Sequence, residues 1–137
     1  MQPKLKFFFI EKSYFNDIIA YSISRKNLFQ FINGKVVISE VQILEAYSRA
    51  LRYMEHNSNI RSLGGLILSY ITGEKDIKTA IEIGGLNETG RYVLIYENED
   101  DLLHLKNVNE IEKFILNDEK SMDFYVFSKM SYLDSLL

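Results

Sequence analysis

The chain has 137 residues, of which 47% are hydrophobic and 26% charged, a balance that predicts one soluble globular domain over residues 1–137. It contains no cysteine, which excludes disulfides, thiolate metal sites and a cysteine nucleophile. Two histidines, His56 and His104, are too few to favour a zinc site or a histidine-dependent catalytic triad. The net charge of −3 argues against a strongly basic nucleic-acid binder.

The charges are distributed unevenly along the chain. Residues 1–91 contain 12 Lys and Arg against 9 Asp and Glu, whereas residues 92–137 contain 4 against 10. Any RNA-binding surface is therefore expected to be local and sensitive to salt. No apolar run approaches the roughly 20 residues that a membrane-spanning helix needs, and the run at residues 7–10 is too short for a secretory signal. We therefore expect a cytoplasmic protein without membrane contact.

The first half of the chain alternates between strands and helices. Residues 4–11 predict a buried strand, and residues 14–24 predict a helix capped by Ser13. Asn33-Gly34 separates two short apolar runs at residues 28–32 and 35–38, which predicts a hairpin or one strand with a bulge. Ser39 is expected to cap a long amphipathic helix that extends to residue 57.

The second half predicts two short helices, one strand and three further helices. Gly73 ends the first short helix and Gly84-Gly85 ends the second, because glycine readily takes the backbone angles of a helix end. A run of β-branched and aromatic residues predicts the strand. In chain order, the six elements span residues 60–72, 76–84, 91–97, 98–106, 108–117 and 121–137. The predicted fold class is α+β, with a mixed sheet of three or four strands packed with helices and a long C-terminal helix.

The helix that begins near Asn59 is a candidate site for an anion. Its first backbone N–H groups and its positive dipole end suit phosphate. Arg61 lies in its first turn, where a cation opposes the helix dipole and is better accommodated if an anion binds there. Lys75 and Lys78 are expected to border the same cleft from the following turn.

The preceding helix carries further candidates for RNA contact. Arg49 and Arg52 are three residues apart, so they share one helix face, although Arg49 also fits an ion pair with Glu45. Tyr53 or Tyr70 offers a ring on which an unpaired base could stack. Core packing is the alternative for Tyr70.

Two adjacent glycines, Gly64-Gly65, interrupt the segment. Each costs about 1 kcal/mol relative to alanine inside a helix. One explanation is the close approach of another backbone, from a neighbouring helix or a bound nucleotide. The other is that the helix begins after them.

The C-terminal helix carries an apolar stripe at helical spacing, formed by Met122, Val126, Met130, Leu133 and Leu137. Further apolar residues occupy other sides of this helix, so it must be covered on more than one side. Contact with a partner protein would cover the second side. The alternative is a helix wedged deeply in the domain's own core.

No sequence motif indicates catalysis. The chain has neither a phosphate-binding loop nor a dinucleotide fingerprint, and no serine lies in a nucleophile-elbow pattern. Asp100-Asp101 fits a solvated helix start better than a metal site. We therefore predict no catalytic residue, metal or cofactor, with an enzyme of unrecognised site as a distant alternative.

The central segment carries a set of short motifs at characteristic spacing: Asn59-Ile60, Arg61-Ser62-Leu63, Leu66-Ile67-Leu68-Ser69-Tyr70, Gly73-Glu74-Lys75-Asp76-Ile77 and Ala80-Ile81. They resemble the signature of the kinase-binding subunit of the KEOPS tRNA-modification complex, the PRPK-binding protein family. Leu66 departs from the glutamate of that pattern. Lys75-Asp76 replaces its Arg-Gln, which keeps one charge but loses a bidentate fork and adds an acid that repels phosphate.

The resemblance implies a non-catalytic subunit of the complex that places threonylcarbamoyl on the adenosine beside the tRNA anticodon. It implies that the subunit binds and activates the complex's small atypical kinase/ATPase and captures the tRNA 3′ CCA end for the transferase subunit. The tRNA-contacting residues that it implies are Asn59, Ile60, Arg61, Ser62, Gly73, Lys75, Ile77 and Ala80. The apolar stripe of the C-terminal helix, Met122, Val126, Met130, Leu133 and Leu137, is then the expected kinase-binding surface. A protein-binding regulator of the kinase without RNA contact is the alternative.

Overall fold

A computed structural model describes residues 2–25, 27–57, 62–105, 108–114 and 124–137, but not the side chains of residues 124–127. Its four strands are β1 (Lys4–Ile10), β2 (Phe29–Asn33), β3 (Gly90–Tyr96) and β4 (Asn109–Glu110). They form one sheet in the order β2-β3-β1-β4, and all three pairings are antiparallel. The α+β class and the strand number are therefore confirmed, with an antiparallel rather than a mixed sheet.

The described part of the chain contains five α-helices, α1 (Phe15–Ile23), α2 (Glu40–His56), α3 (Leu63–Thr72), α4 (Ile77–Gly84) and α5 (Phe124–Leu136). Helix α1 packs on one face of the sheet, and α2 to α5 contribute to the core on the other. None of these helices has the length and apolar character that crossing a membrane requires.

Strand β3 lies between β1 and β2 and is covered on both faces. Successive side chains of a strand point to opposite faces. Tyr92, Leu94 and Tyr96 accordingly belong to the core beside α1, while Val93 and Ile95 belong to the core beside α2 to α5. Burial on both faces explains why this strand reads as a continuous apolar run.

Local capping signals identified most helix ends correctly. The Ser39 hydroxyl accepts a hydrogen bond from the Gln42 N–H at 3.1 Å and caps α2. Gly73 ends α3 with a left-handed φ of 78°, which glycine tolerates without strain. The Ser13 cap is wrong, because Ser13 lies within a 3₁₀ helix (Lys12–Tyr14) and no side chain caps α1.

The predicted Asn33-Gly34 hairpin is wrong. A hairpin turn of this type needs a positive φ at Asn33, but its φ is −60°. The Asn33 side chain instead accepts from the Lys35 N–H at 2.9 Å and donates to Asn87 at 2.6 Å. The chain consequently leaves β2 through a 3₁₀ helix (Gly34–Val36) and continues toward α2.

The region after β3 contains less α-helix than the sequence predicts. A 3₁₀ helix (Glu99–His104) replaces the α-helix predicted at residues 98–106. The helix predicted at residues 108–117 is wrong in its described part, because Asn109–Glu110 forms strand β4 and pairs with β1. The N–H of Ile111 then donates to the Phe7 carbonyl at 2.8 Å, which ties this segment to the sheet edge.

Candidate functional site

The starts of α3 and α4 lie side by side. The Ser62 hydroxyl accepts from the Gly65 N–H at 2.9 Å and caps α3. A Cβ atom at Gly65 would lie only 2.7 Å from Cγ2 of Ile77, the first residue of α4. Gly65 therefore permits the close approach of a neighbouring helix. Because α3 begins at Leu63, the explanation that the helix begins after the glycines is wrong.

Helices α3 and α4 also meet at their C-terminal ends. A Cβ atom at Gly84 would lie 2.9 Å from Cγ2 of Thr72. Since both starts and both ends are adjacent, the two helices run in the same direction. Their N–H groups and positive dipole ends are consequently presented at one end of the pair.

Two cations accompany this pair of helix starts. Lys75 and Lys78 are exposed, and neither has an acidic partner within ion-pair distance among the described residues. Asp76, at the N-cap position of α4, accepts from the Thr79 hydroxyl at 2.9 Å but does not cap a backbone N–H. Glu74 and Asp76 offset the charges of the two lysines, so the feature that favours an anion here is the pair of helix N-termini.

The structure brings together Ser62, Lys75 and Ile77 among the predicted tRNA contacts. It separates two others from this site. Ala80 is fully buried, at 0% exposure, so it cannot contact a base and serves the core instead. Gly73 ends α3 at the far end of the helix from Ser62, and a Cβ there would collide with the side chain of Lys129. Asn59, Ile60 and Arg61 lie outside the described residues. The expected helix start near Asn59 is wrong, because α3 begins at Leu63 with Ser62 as its N-cap, so Arg61 is not in its first turn.

Arg49 participates in an ion-pair network. Its Nε donates to Glu45 at 2.9 Å and its Nη1 donates to Asp134 of α5 at 2.8 Å. Two carboxylates already match its charge, so an RNA contact by Arg49 is no longer expected. Arg52 is exposed and remains a candidate.

The same network connects α5 to α3 by a hydrogen bond. The Tyr70 hydroxyl donates to Asp134, and Tyr70 itself is buried, as its alternative assignment to the core predicts. Burial, and then the hydrogen bond to Asp134, raise the pKa of the Tyr70 hydroxyl. The hydroxyl therefore stays protonated and continues to donate at neutral pH.

The apolar stripe of α5 faces the domain's own core. Met130 and Leu133 are 1% and 0% exposed and pack with core residues of α2, α3 and α4. Leu137 is partly buried against the same cluster. The prediction that Met130 and Leu133 contact a kinase is therefore corrected, because their surfaces are already occupied. Met122 lies outside the described residues, and the side chain of Val126 is not described.

Of the acidic pair Asp100-Asp101, which follows β3, Asp101 has a structural role. Asp101 is fully buried, and its Oδ1 accepts from the Tyr21 hydroxyl at 2.6 Å and lies 3.0 Å from Nε of Arg25. Only Asp100 is exposed, so the expected solvated helix start is half right. Within the described ranges, no group of three or more histidine or acidic side chains is placed to hold a metal ion.

A family model described as kinase binding protein CGI-121 matches residues 10–133. The chain belongs to the CGI-121 family. This match extends from Ile10, the last residue of β1, to Leu133 of α5 and confirms the family resemblance noted in the central segment. A comparison with curated proteins finds no match.

Helix α5 also presents exposed apolar side chains on a side that does not face the core. Tyr132 and Leu136 are 65% and 40% exposed and lie one helical turn apart, on a different side from Met130. Lys129, one turn before Tyr132, lines a depression of about 260 Å³. The exposed side chains of Ile38 and Ile83 line the same depression. We name Ile38, Ile83, Tyr132 and Leu136 the outer apolar face.

Sequence reasoning expected a second apolar side of α5 that a partner covers, but it did not connect that side with Ile38 and Ile83. The residues come from three distant segments, so no local spacing connects them. On α5 itself, Tyr132 and Leu136 form a second pair at helical spacing beside the stripe of Met130 and Leu133. That second pair was the available signal for an uncovered side.

Proposed function

We propose that this chain is a non-catalytic, cytoplasmic subunit of the KEOPS complex that binds and activates the complex's small atypical kinase/ATPase. The family match over residues 10–133 carries the proposal. The kinase would in turn connect the chain to the threonylcarbamoyl-transferase subunit. The chain would thereby support threonylcarbamoyl modification of the adenosine next to the tRNA anticodon.

The outer apolar face is the surface that suits a kinase best. A group of exposed apolar side chains rimmed by polar residues is typical of a protein–protein contact. Lys129 and Lys35 lie at its edge and supply such a rim. The buried Met130 and the Asp134 network hold α5 in place, so the face is preorganised for binding.

The paired starts of α3 and α4 are our proposed site for the tRNA 3′ CCA end. Single-stranded ends are the part of an RNA whose bases can be splayed and contacted by side chains. Lys75, Lys78 and the helix N–H groups would meet phosphates, and the partly exposed Ile77 offers an apolar contact. The acid at Asp76 is the observation that favours the alternative, a kinase regulator without RNA contact.

Reversing both charges by Lys75→Glu with Lys78→Glu is expected to weaken tRNA binding by about tenfold or more, because two phosphate contacts become repulsive. Both side chains are exposed, so the melting temperature should hardly change. Filter binding over a salt series measures the affinity, with Lys12→Glu as the control on an exposed lysine elsewhere. The double variant should also flatten the salt dependence.

The same assay on tRNA without its CCA end tests the location of the contact. We expect the truncated tRNA to bind more weakly to the unaltered protein and to lose its sensitivity to the lysine changes. Equal binding of both tRNA forms would contradict capture of the CCA end. No binding of either form would favour the alternative without RNA contact.

A further inference from the structure

Strand β2 lies at one edge of the sheet and pairs with β3 on one side only in the described structure. The Glu97 N–H donates to the Leu28 carbonyl at 3.2 Å, which identifies Leu28 and Glu97 as a hydrogen-bonded pair. Because such pairs alternate in an antiparallel ladder, Gln30 also directs its backbone groups toward β3. Phe29 and Phe31 therefore direct theirs outward.

A groove of about 670 Å³ follows this outward edge. Ile19 and Ile23 of α1 form one wall and are 41% and 79% exposed. Leu63 of α3 and Ile81 of α4, the latter 44% exposed, line the other wall. The strand edge at its floor thus combines apolar walls on both sides with the backbone groups of Phe29 and the N–H of Phe31, for which the described part of the chain supplies no partner.

We propose that this groove binds an extended segment of a partner protein, which adds to the sheet as a strand beside β2. Its backbone would pair with the outward groups of Phe29 and with the N–H of Phe31. Alternate side chains of the segment would contact the two walls. The Phe31 carbonyl already accepts from Nε2 of Gln30 at 2.9 Å, so pairing would centre on Phe29.

The shape of the groove favours a single peptide segment over a second copy of this chain. The strand edge is recessed between α1 on one side and Leu63 of α3 and Ile81 of α4 on the other, and a second copy would bring its own two walls against these. Glu97 also lines the groove, and no described residue forms an ion pair with it. A segment with alternating apolar residues and a basic residue near Glu97 is therefore complementary.

This inference goes beyond the proposed function. The groove shares Ser62 with the proposed tRNA site but includes neither Lys75 nor Lys78, and it includes no member of the outer apolar face. A failure here would leave the kinase and tRNA proposals unaffected.

Selection of short random peptides displayed on phage against the full chain tests the inference. We expect enriched peptides with β-branched or aromatic residues at alternate positions. Their binding should slow amide exchange at Phe29 and Phe31, measured by NMR, while Gln30 is already protected by β3. N-methylation of alternate peptide residues should abolish binding in one register and leave it nearly unchanged in the other, because only one set of N–H groups faces β2.

The change Ile23→Lys should weaken the binding of the selected peptides by about tenfold or more, because it places a charge on the groove wall. Leu103→Lys is the matched control, since Leu103 is 70% exposed and does not line the groove; its effect should stay within about twofold. Equal binding to both variants, or unchanged exchange at Phe29 and Phe31, would overturn the proposal. So would protection of these amides by single-stranded RNA in place of peptide, or a dimer that Ile23→Lys dissociates.

Discussion

Replacing Leu133 with alanine is expected to lower the free energy of unfolding by about 2–5 kcal/mol. Leu133 is fully buried and packs in the core that α5 shares with α2 and α3. The change removes apolar contacts and leaves a cavity that the surrounding helices fill only in part. Urea denaturation followed by circular dichroism measures the effect as a lower midpoint.

Tyr132→Ala is the matched control for this change. Tyr132 is the preceding residue of the same helix but is 65% exposed, so its removal should alter the free energy of unfolding by no more than about 0.5 kcal/mol. If Leu133→Ala left stability unchanged and abolished kinase binding, the assignment of Leu133 to the core would be wrong. The apolar stripe that contains Leu133 would then be the kinase-binding surface.

Adding charge to the outer apolar face is expected to weaken kinase binding and to leave the stability nearly unchanged, which is the opposite of the pattern expected for a core change such as Leu133→Ala. Tyr132→Glu with Leu136→Glu should weaken binding of the kinase by about 100-fold or more, because truncating or charging central contacts of an interface costs several kcal/mol. Both side chains are exposed, so the unfolding midpoint should change little. Isothermal titration with the purified kinase measures the affinity.

Leu103→Glu is the control that separates the loss of a kinase contact from a general effect of an added negative charge. Leu103 is also an exposed apolar residue, but it lies in the 3₁₀ helix after β3 and not on the outer apolar face. We expect the control to bind the kinase like the unaltered protein. Full affinity of the double variant would place the kinase on another surface of the chain.

The parts of the fold that depend on local chemistry could be predicted from the sequence. The Ser39 cap and the Gly73 end each follow from contacts within a few residues. Asn33-Gly34 shows the limit of such signals. The Asn33 side chain bonds to Asn87, 54 residues away, and this tertiary contact accompanies a φ that excludes the favoured turn.

The site depends more strongly on distant contacts. The sequence offers Arg49 one partner, Glu45, one helical turn earlier. Its second partner, Asp134, lies 85 residues further along the chain, so no local pattern shows that two carboxylates match its charge. Periodicity correctly grouped Met130 with Leu133, yet it could not tell which apolar side of α5 the domain itself covers. The pairing of Gly65 with Ile77 likewise depends on the direction of α4 relative to α3, which no local pattern encodes.

The central claim is that this chain acts by holding a kinase, and size-exclusion chromatography with light scattering tests it most directly. The chain would be mixed at micromolar concentration with the small kinase/ATPase of KEOPS from the same cell. We predict a single peak whose mass equals one copy of each protein. Two separate peaks with the masses of the free proteins would contradict the account.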